Sequence, residues 1–384
     1  MGWCGGWGGR GGGSCFTRAN YDLTLDKPHT AEAAEAVAAA AVTAAMLYHP
    51  APTECELVQP AQPWDQTQTP LFLVHDGGGT TFAYHCLGFL GRAVFGIANP
   101  RFESGIPWEG GLPEMAAAYL RMIRATVTKS RDYPAQAPRS LPLLAGRGGG
   151  EGGGGGGKPR RRILLGGWSL GGMLSLEIAR QLGDEDEDIE IVGLVIVDSV
   201  YPVWPEGLRV KIERLVEGPE PEKKNLLLAR RAMRMAGGMV RAWRIPRCGA
   251  AGAEEERVVT VPRMAGGGGG EDEPNGDVVD DQDVERDFYC SKREKETAEV
   301  VWERPPRAVL VKAKEHVPSS TAGAISSVDV YREDDKLGWD AYCPGFVERV
   351  LETEGHHFDM FEWHYIDGIT EKIAEACWIL EMAD

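Results

Sequence analysis

Positive charge is in short supply in this chain: 41 Lys and Arg stand against 58 Asp and Glu, a formal net charge of −17. Neutralising phosphates needs a basic footprint, so the balance argues against a nucleic-acid binder. Long apolar runs are also missing. The Ala-rich stretch Ala36–Leu47 is the nearest approach, and its dozen or so residues fall short of the roughly 20 needed to cross a bilayer. The N-terminus lacks the basic-then-apolar layout of a secretory leader, and Gly6 stands where a myristoylation motif needs Ser or Thr. The eight Cys are never closer than 11 residues, which leaves no CxxC redox or zinc pattern and no sign of a disulfide framework. These absences predict a cytoplasmic protein without a metal, membrane or nucleic-acid partner.

Apolar residues make up 43% of the chain and charged residues 26%, ample for a soluble core. Glycine, at 50 residues, is in excess, but much of it sits in tracts that read as linkers. Residues 1–68 are expected to be an N-terminal extension, partly disordered, with an Ala-rich helix over 31–48. The short apolar runs 71–75, 93–98, 162–166, 189–197, 307–313 and 347–353 read as strands, and 113–127, 169–182 and 365–381 as helices. Strands alternating with helices predict an α/β chain with a mostly parallel sheet flanked by helices. The core is expected over 69–205 and 300–384, with a Gly-rich insert at 145–157. Between the halves, 206–299 reads as a lid-like insertion with an acidic, Gly-rich disordered tract and one helix over 223–244. In that helix Leu226, Ala229, Met233, Ala236, Val240 and Trp243 form an apolar seam, Gly237-Gly238 interrupts the pattern, and seven basic residues meet no acid.

The chemistry concentrates in Gly167-Trp168-Ser169-Leu170-Gly171. A bare Gly-x-Ser-x-Gly arises by chance roughly 0.2 times in a chain this rich in glycine, so context decides. Here it follows an apolar strand directly and opens a helix, the strand-to-helix elbow that lifts a hydroxyl out of a sheet edge. Gly167 and Gly171 leave room for that turn, where a β-carbon would clash. Other Gly-rich readings fail: residues 171–173 are Gly-Gly-Met, not Gly-Lys-Ser/Thr, and a dinucleotide fingerprint needs Gly at Trp168.

A serine hydroxyl near neutral pH needs a base, and the base needs a carboxylate to orient it. In hydrolases with this elbow the chain order is Ser, acid, His. His356 and His357, straight after the last strand, are the candidate bases, ahead of His316 and His364. Asp198, closing the strand after the elbow helix, is the favoured acid, and Glu315 its rival. Oxyanion donors are expected from the amide of Leu170 and from the loop Asp76-Gly77-Gly78-Gly79, through Gly77 and Gly78.

Together His75-Asp-Gly-Gly-Gly79, Gly166-Gly-Trp-Ser-Leu-Gly-Gly172, Val197-Asp-Ser199 and Gly355-His-His-Phe358 resemble the thioesterase family of polyketide and nonribosomal-peptide synthases, most of all the domains of fungal synthases. The resemblance covers about 70–198 and 305–384 and implies an α/β-hydrolase fold. It implies that Ser169 attacks an acyl thioester on the phosphopantetheine arm of a carrier protein, with Asp198 as acid and His357, rather than His356, as base. The acyl chain then leaves as an acid by hydrolysis or as a ring by cyclisation. No cofactor is implied beyond the carrier's own arm. The chain contains no Gly-x-Asp-Ser-Leu attachment site, so the carrier is expected to act in trans. The same residues would serve a carboxylesterase or lactonase, or persist in a catalytically silent interaction module.

Overall fold

The computed structural model describes residues 52–134, 160–183, 186, 188–205, 208, 210–213, 223–245, 247–248, 301–302 and 305–382. The Ala-rich helix, the Gly-rich insert and the acidic tract expected from the sequence lie outside the described residues. The described residues belong to one compact unit.

Its centre is a seven-stranded sheet. The strands are β1 (Glu56–Gln59), β2 (Leu71–Val74), β3 (Val94–Ile97), β4 (Arg161–Trp168), β5 (Ile189–Val197), β6 (Ala308–Ala313) and β7 (Val347–Thr353). Their order is β1-β3-β2-β4-β5-β6-β7. Every pairing is parallel except that of β1 with β3. The strand Glu56–Gln59 corrects the expected boundary, because the sheet begins inside the 1–68 stretch read as extension. Strands β2, β3 and β6 are buried along their whole length, as a parallel sheet covered on both faces requires.

Helices α1 (Gly111–Lys129) and α2 (Leu170–Leu182) pack together on one face. Helix α4 (Ile366–Met382) covers the other, against β5, β6 and β7. Each face has its own apolar cluster, centred on Phe72, Phe95 and Leu174 on one side and on Leu164, Val309 and Ile373 on the other. Order, parallel pairing and a strand-to-helix elbow at the sheet centre make this an α/β-hydrolase fold. No helix among the described residues is long and apolar enough to cross a membrane.

Helix α3 (Lys224–Ala242) departs from expectation twice. It runs unbroken through Gly237 and Gly238. Its buried positions are Leu228, Ala232 and Ala236, whereas Leu226 and Met233 are exposed. Of the expected seam, Ala236, Val240 and the flanking Trp243 pack on the core, while Leu228 and Ala232 take the buried places expected of Leu226 and Met233. Beyond it, Cys248 is disulfide-bonded to Cys343, 95 residues later, a pairing the sequence spacing did not suggest.

Candidate active site

Strand β4 delivers Ser169 to the sheet's carboxyl edge. Its backbone has φ 55° and ψ −116°, a conformation that a non-glycine residue adopts only under constraint. The constraint is tight packing on β2. A β-carbon at Gly167 would lie 2.5 Å from the Val74 carbonyl oxygen; one at Gly171 would run into the same oxygen and lie 2.9 Å from that of His75. Tyr84, buried, braces the same junction by donating to Val74 O (2.6 Å) and accepting from Trp168 N–H (2.9 Å).

The loop after β7 brings His357 over the elbow. Its Nε2 lies 3.0 Å from Ser169 Oγ, and its Nδ1 lies 2.8 Å from Asp198 Oδ2. Since the carboxylate can only accept, Nδ1 carries the proton and Nε2 is free to take one from the hydroxyl. Trp168 and Phe358 flank the imidazole, with ring centroids at 5.7 and 4.9 Å, and His357 is only 2% exposed. Asp198, fully buried, ends β5 at φ 41°. Burial pushes its carboxyl up, but hydrogen bonds from Arg332 and His357 outweigh this and hold it well below the usual carboxylate range.

The competing residues sit elsewhere. His356 turns into its own loop, pairing with Asp359 Oδ2 at 3.1 Å and accepting from Phe358 N–H. His316 is exposed and pairs with Glu333 at 2.8 Å. His364 is exposed beside Glu362 and Tyr365. The Glu315 side chain is exposed, and only its backbone N–H reaches this region, donating to Gly355 O.

Of the expected oxyanion donors, Leu170 opens α2, where the first amides have no intrahelical acceptor. Gly77 N–H makes no hydrogen bond among the described residues, and Gly77 and Leu170 line the same narrow cavity. Gly78 must be withdrawn as a donor, because its N–H is already held by Asp76 Oδ1 at 3.0 Å. The loop is pinned from behind: Asp76 O accepts from Gly79 N–H and from His75 Nδ1, and His75 Nε2 meets the Tyr119 hydroxyl at 2.5 Å. Ala232, Met235, Ala236 and Met239 of α3 close the cavity.

The residue that sequence reading missed is Arg332. It is 4% exposed and grips Asp198 with both terminal nitrogens, Nη1 to Oδ1 at 2.6 Å and Nη2 to Oδ2 at 2.8 Å.

No family model matches the chain. Among solved structures, the NocB thioesterase domain from the nocardicin cluster superposes with a TM-score of 0.46 at 20% identity, covering 83% of this chain and 97% of that one. Among curated proteins, the chain is 32% identical over 326 residues to the probable thioesterase lcsE of Purpureocillium lilacinum, spanning 81% of this chain and 89% of that one. It is 29% identical over 318 residues to thioesterase frbD of Dothideomycetidae sp. (strain 11243), spanning 82% and 91%. It is also 29% identical over 325 residues to the probable thioesterase KK1J of Curvularia clavata, spanning 82% and 92%. With similarity of this extent, the chain belongs to the thioesterase family and is a hydrolase of the serine type.

Proposed function

We propose that the protein releases acyl chains of polyketide or peptide type from the phosphopantetheine thioester of a carrier protein supplied in trans, through an acyl-enzyme on Ser169. The observation that carries this reading is the unbroken hydrogen-bonded chain Ser169–His357–Asp198 at the elbow of a chain whose relatives are named thioesterases.

Ser169 Oγ attacks the thioester carbonyl while His357 Nε2 takes its proton, and Asp198 stabilises the imidazolium that forms. The amides of Leu170 and Gly77 receive the developing oxyanion. Collapse of the tetrahedral intermediate breaks the C–S bond, and the imidazolium returns the proton to the leaving pantetheine thiolate. Water, or a hydroxyl or amine of the acyl chain itself, then repeats the sequence against the acyl-serine. Water yields an acid and an internal nucleophile a ring.

A thiolate leaves more easily than an alkoxide, and a site adapted to it needs less help for the leaving group than an esterase does. Rates on an acyl-pantetheine thioester and on the oxygen ester of the same acyl group separate the two. A preference for the thioester is expected; a strong preference for the oxygen ester would replace this reading with a carboxylesterase or lactonase.

A further inference from the structure

The clamp on Asp198 raises an electrostatic problem. In a Ser-His-Asp arrangement the acid's negative charge makes the imidazole a strong enough base by stabilising its protonated form. Here a guanidinium lies flat against that acid, so Asp198 and Arg332 taken alone are a neutral pair. Bidentate pairing of this kind is the strong limit of the carboxylate–guanidinium interaction, and it should weaken His357 as a base.

The structure supplies the missing charge one residue further back. Arg332 Nε donates to Asp329 Oδ1 at 3.0 Å, and this second carboxylate is itself only 3% exposed. Asp329 closes the 3-10 turn Ser327–Asp329, and its other oxygen accepts from Val317 N–H at 2.7 Å. All five guanidinium N–H groups have acceptors: Asp329, both Asp198 oxygens, Ala313 O at 2.9 Å and Val328 O at 3.5 Å. Asp198 is equally saturated, with Ala313 N–H on Oδ1 and His357 on Oδ2. Two carboxylates around one guanidinium leave one net negative charge behind the imidazole.

We infer that Asp329 and Arg332 are positioning residues for the base: Arg332 fixes Asp198, and Asp329 restores the negative charge that Arg332 would otherwise cancel at His357. The inference rests on Ser169, His357 and Asp198 acting as proposed above. The other charged and titratable groups around the imidazole are present in every variant. Asp76 faces it from the loop after β2. His356 and Asp359 are paired on its own loop, and exposed His316 lies 4.0 Å from Asp329 Oδ2. Trp168 and Phe358 are uncharged.

The experiment follows the second-order rate of Ser169 labelling by a fluorophosphonate from about pH 5 to pH 9, a rate whose acid limb reports protonation of the base. Asp329→Asn removes one negative charge with little change of shape and should move that limb to lower pH by about one unit, at a reduced plateau. Arg332→Gln should move it to higher pH, and the double variant should return it close to wild type. A role confined to structure gives no such opposed displacement. The same ordering is expected for His357 followed by NMR in a Ser169→Ala background, where no catalysis is needed. If Arg332→Gln does not fold, Asp329→Asn and the double variant decide. An unmoved limb and an unmoved NMR titration in Asp329→Asn overturn the inference. Absent labelling of the wild type together with displaced NMR titrations would instead overturn the catalytic reading and leave the charge arrangement standing.

Discussion

Asp198 directly follows β5 and Glu315 lies two residues beyond β6, both at the sheet's carboxyl edge, yet only Asp198 reaches the imidazole. Asp198→Asn should therefore lose on the order of 10⁴ in turnover, as expected when a triad acid no longer fixes the tautomer, and should also lower the thermal midpoint, because buried Arg332 loses its carboxylate partner. Glu315→Gln should be nearly silent in the same steady-state assay. His75 allows a different prediction. Burial pushes its imidazole down from 6.5 to about 4, because the buried ring resists protonation. Below the unfolded value the unfolded chain binds a proton that the folded chain refuses. Stability is thus fully present above pH 6.5 and falls by about 3 kcal/mol as pH drops to about 4. Urea-unfolding free energies of wild type and His75→Gln should converge by that amount between pH 7 and pH 4, whereas a constant gap would mean the ring is protonated in the native state. Ser169, Asp198 and His357 were readable as candidates because each sits beside a local signal: an elbow motif, the end of an apolar strand, a loop after the last strand. Arg332 had none. It meets Asp198 across 134 residues, and in sequence it is one charge in an acidic surface-like stretch.

Helices and strands of the core were legible where apolar runs were long or periodic. Strand β1 was not, because Glu56-Leu-Val-Gln59 is short, half-exposed and antiparallel at the sheet edge. Helix α3 was placed correctly, and Ala236, Val240 and Trp243 of its expected seam pack on the core, but Leu226 and Met233 do not, because the sequence pattern ranks residues by apolar size. What the structure selects is close approach: Ala232 Cβ would lie only 3.5 Å from a β-carbon at Gly79. Gly237 and Gly238 likewise read as a break, yet the helix passes through them and a β-carbon at Gly238 would meet nothing within 4 Å. Gly238→Ala should then stabilise the protein by roughly 0.5–1 kcal/mol, seen as a higher thermal midpoint. At the elbow the sign reverses. Gly171→Ala forces a methyl group into the Val74 carbonyl and should abolish Ser169 labelling even where soluble protein is recovered.

At the scale of the whole molecule, the described residues of the site lie between His75 and Phe358, and the sheet that positions them begins at Glu56. Sheet, elbow and helix α3 converge on the chemistry of a single oxygen, Ser169 Oγ. Intact-protein mass spectrometry after brief exposure to an acyl-pantetheine thioester, with peptide mapping, tests that directly. One acyl group on Ser169, absent from Ser169→Ala, is the predicted result. Acylation elsewhere, or undiminished thioester release by Ser169→Ala, would contradict it.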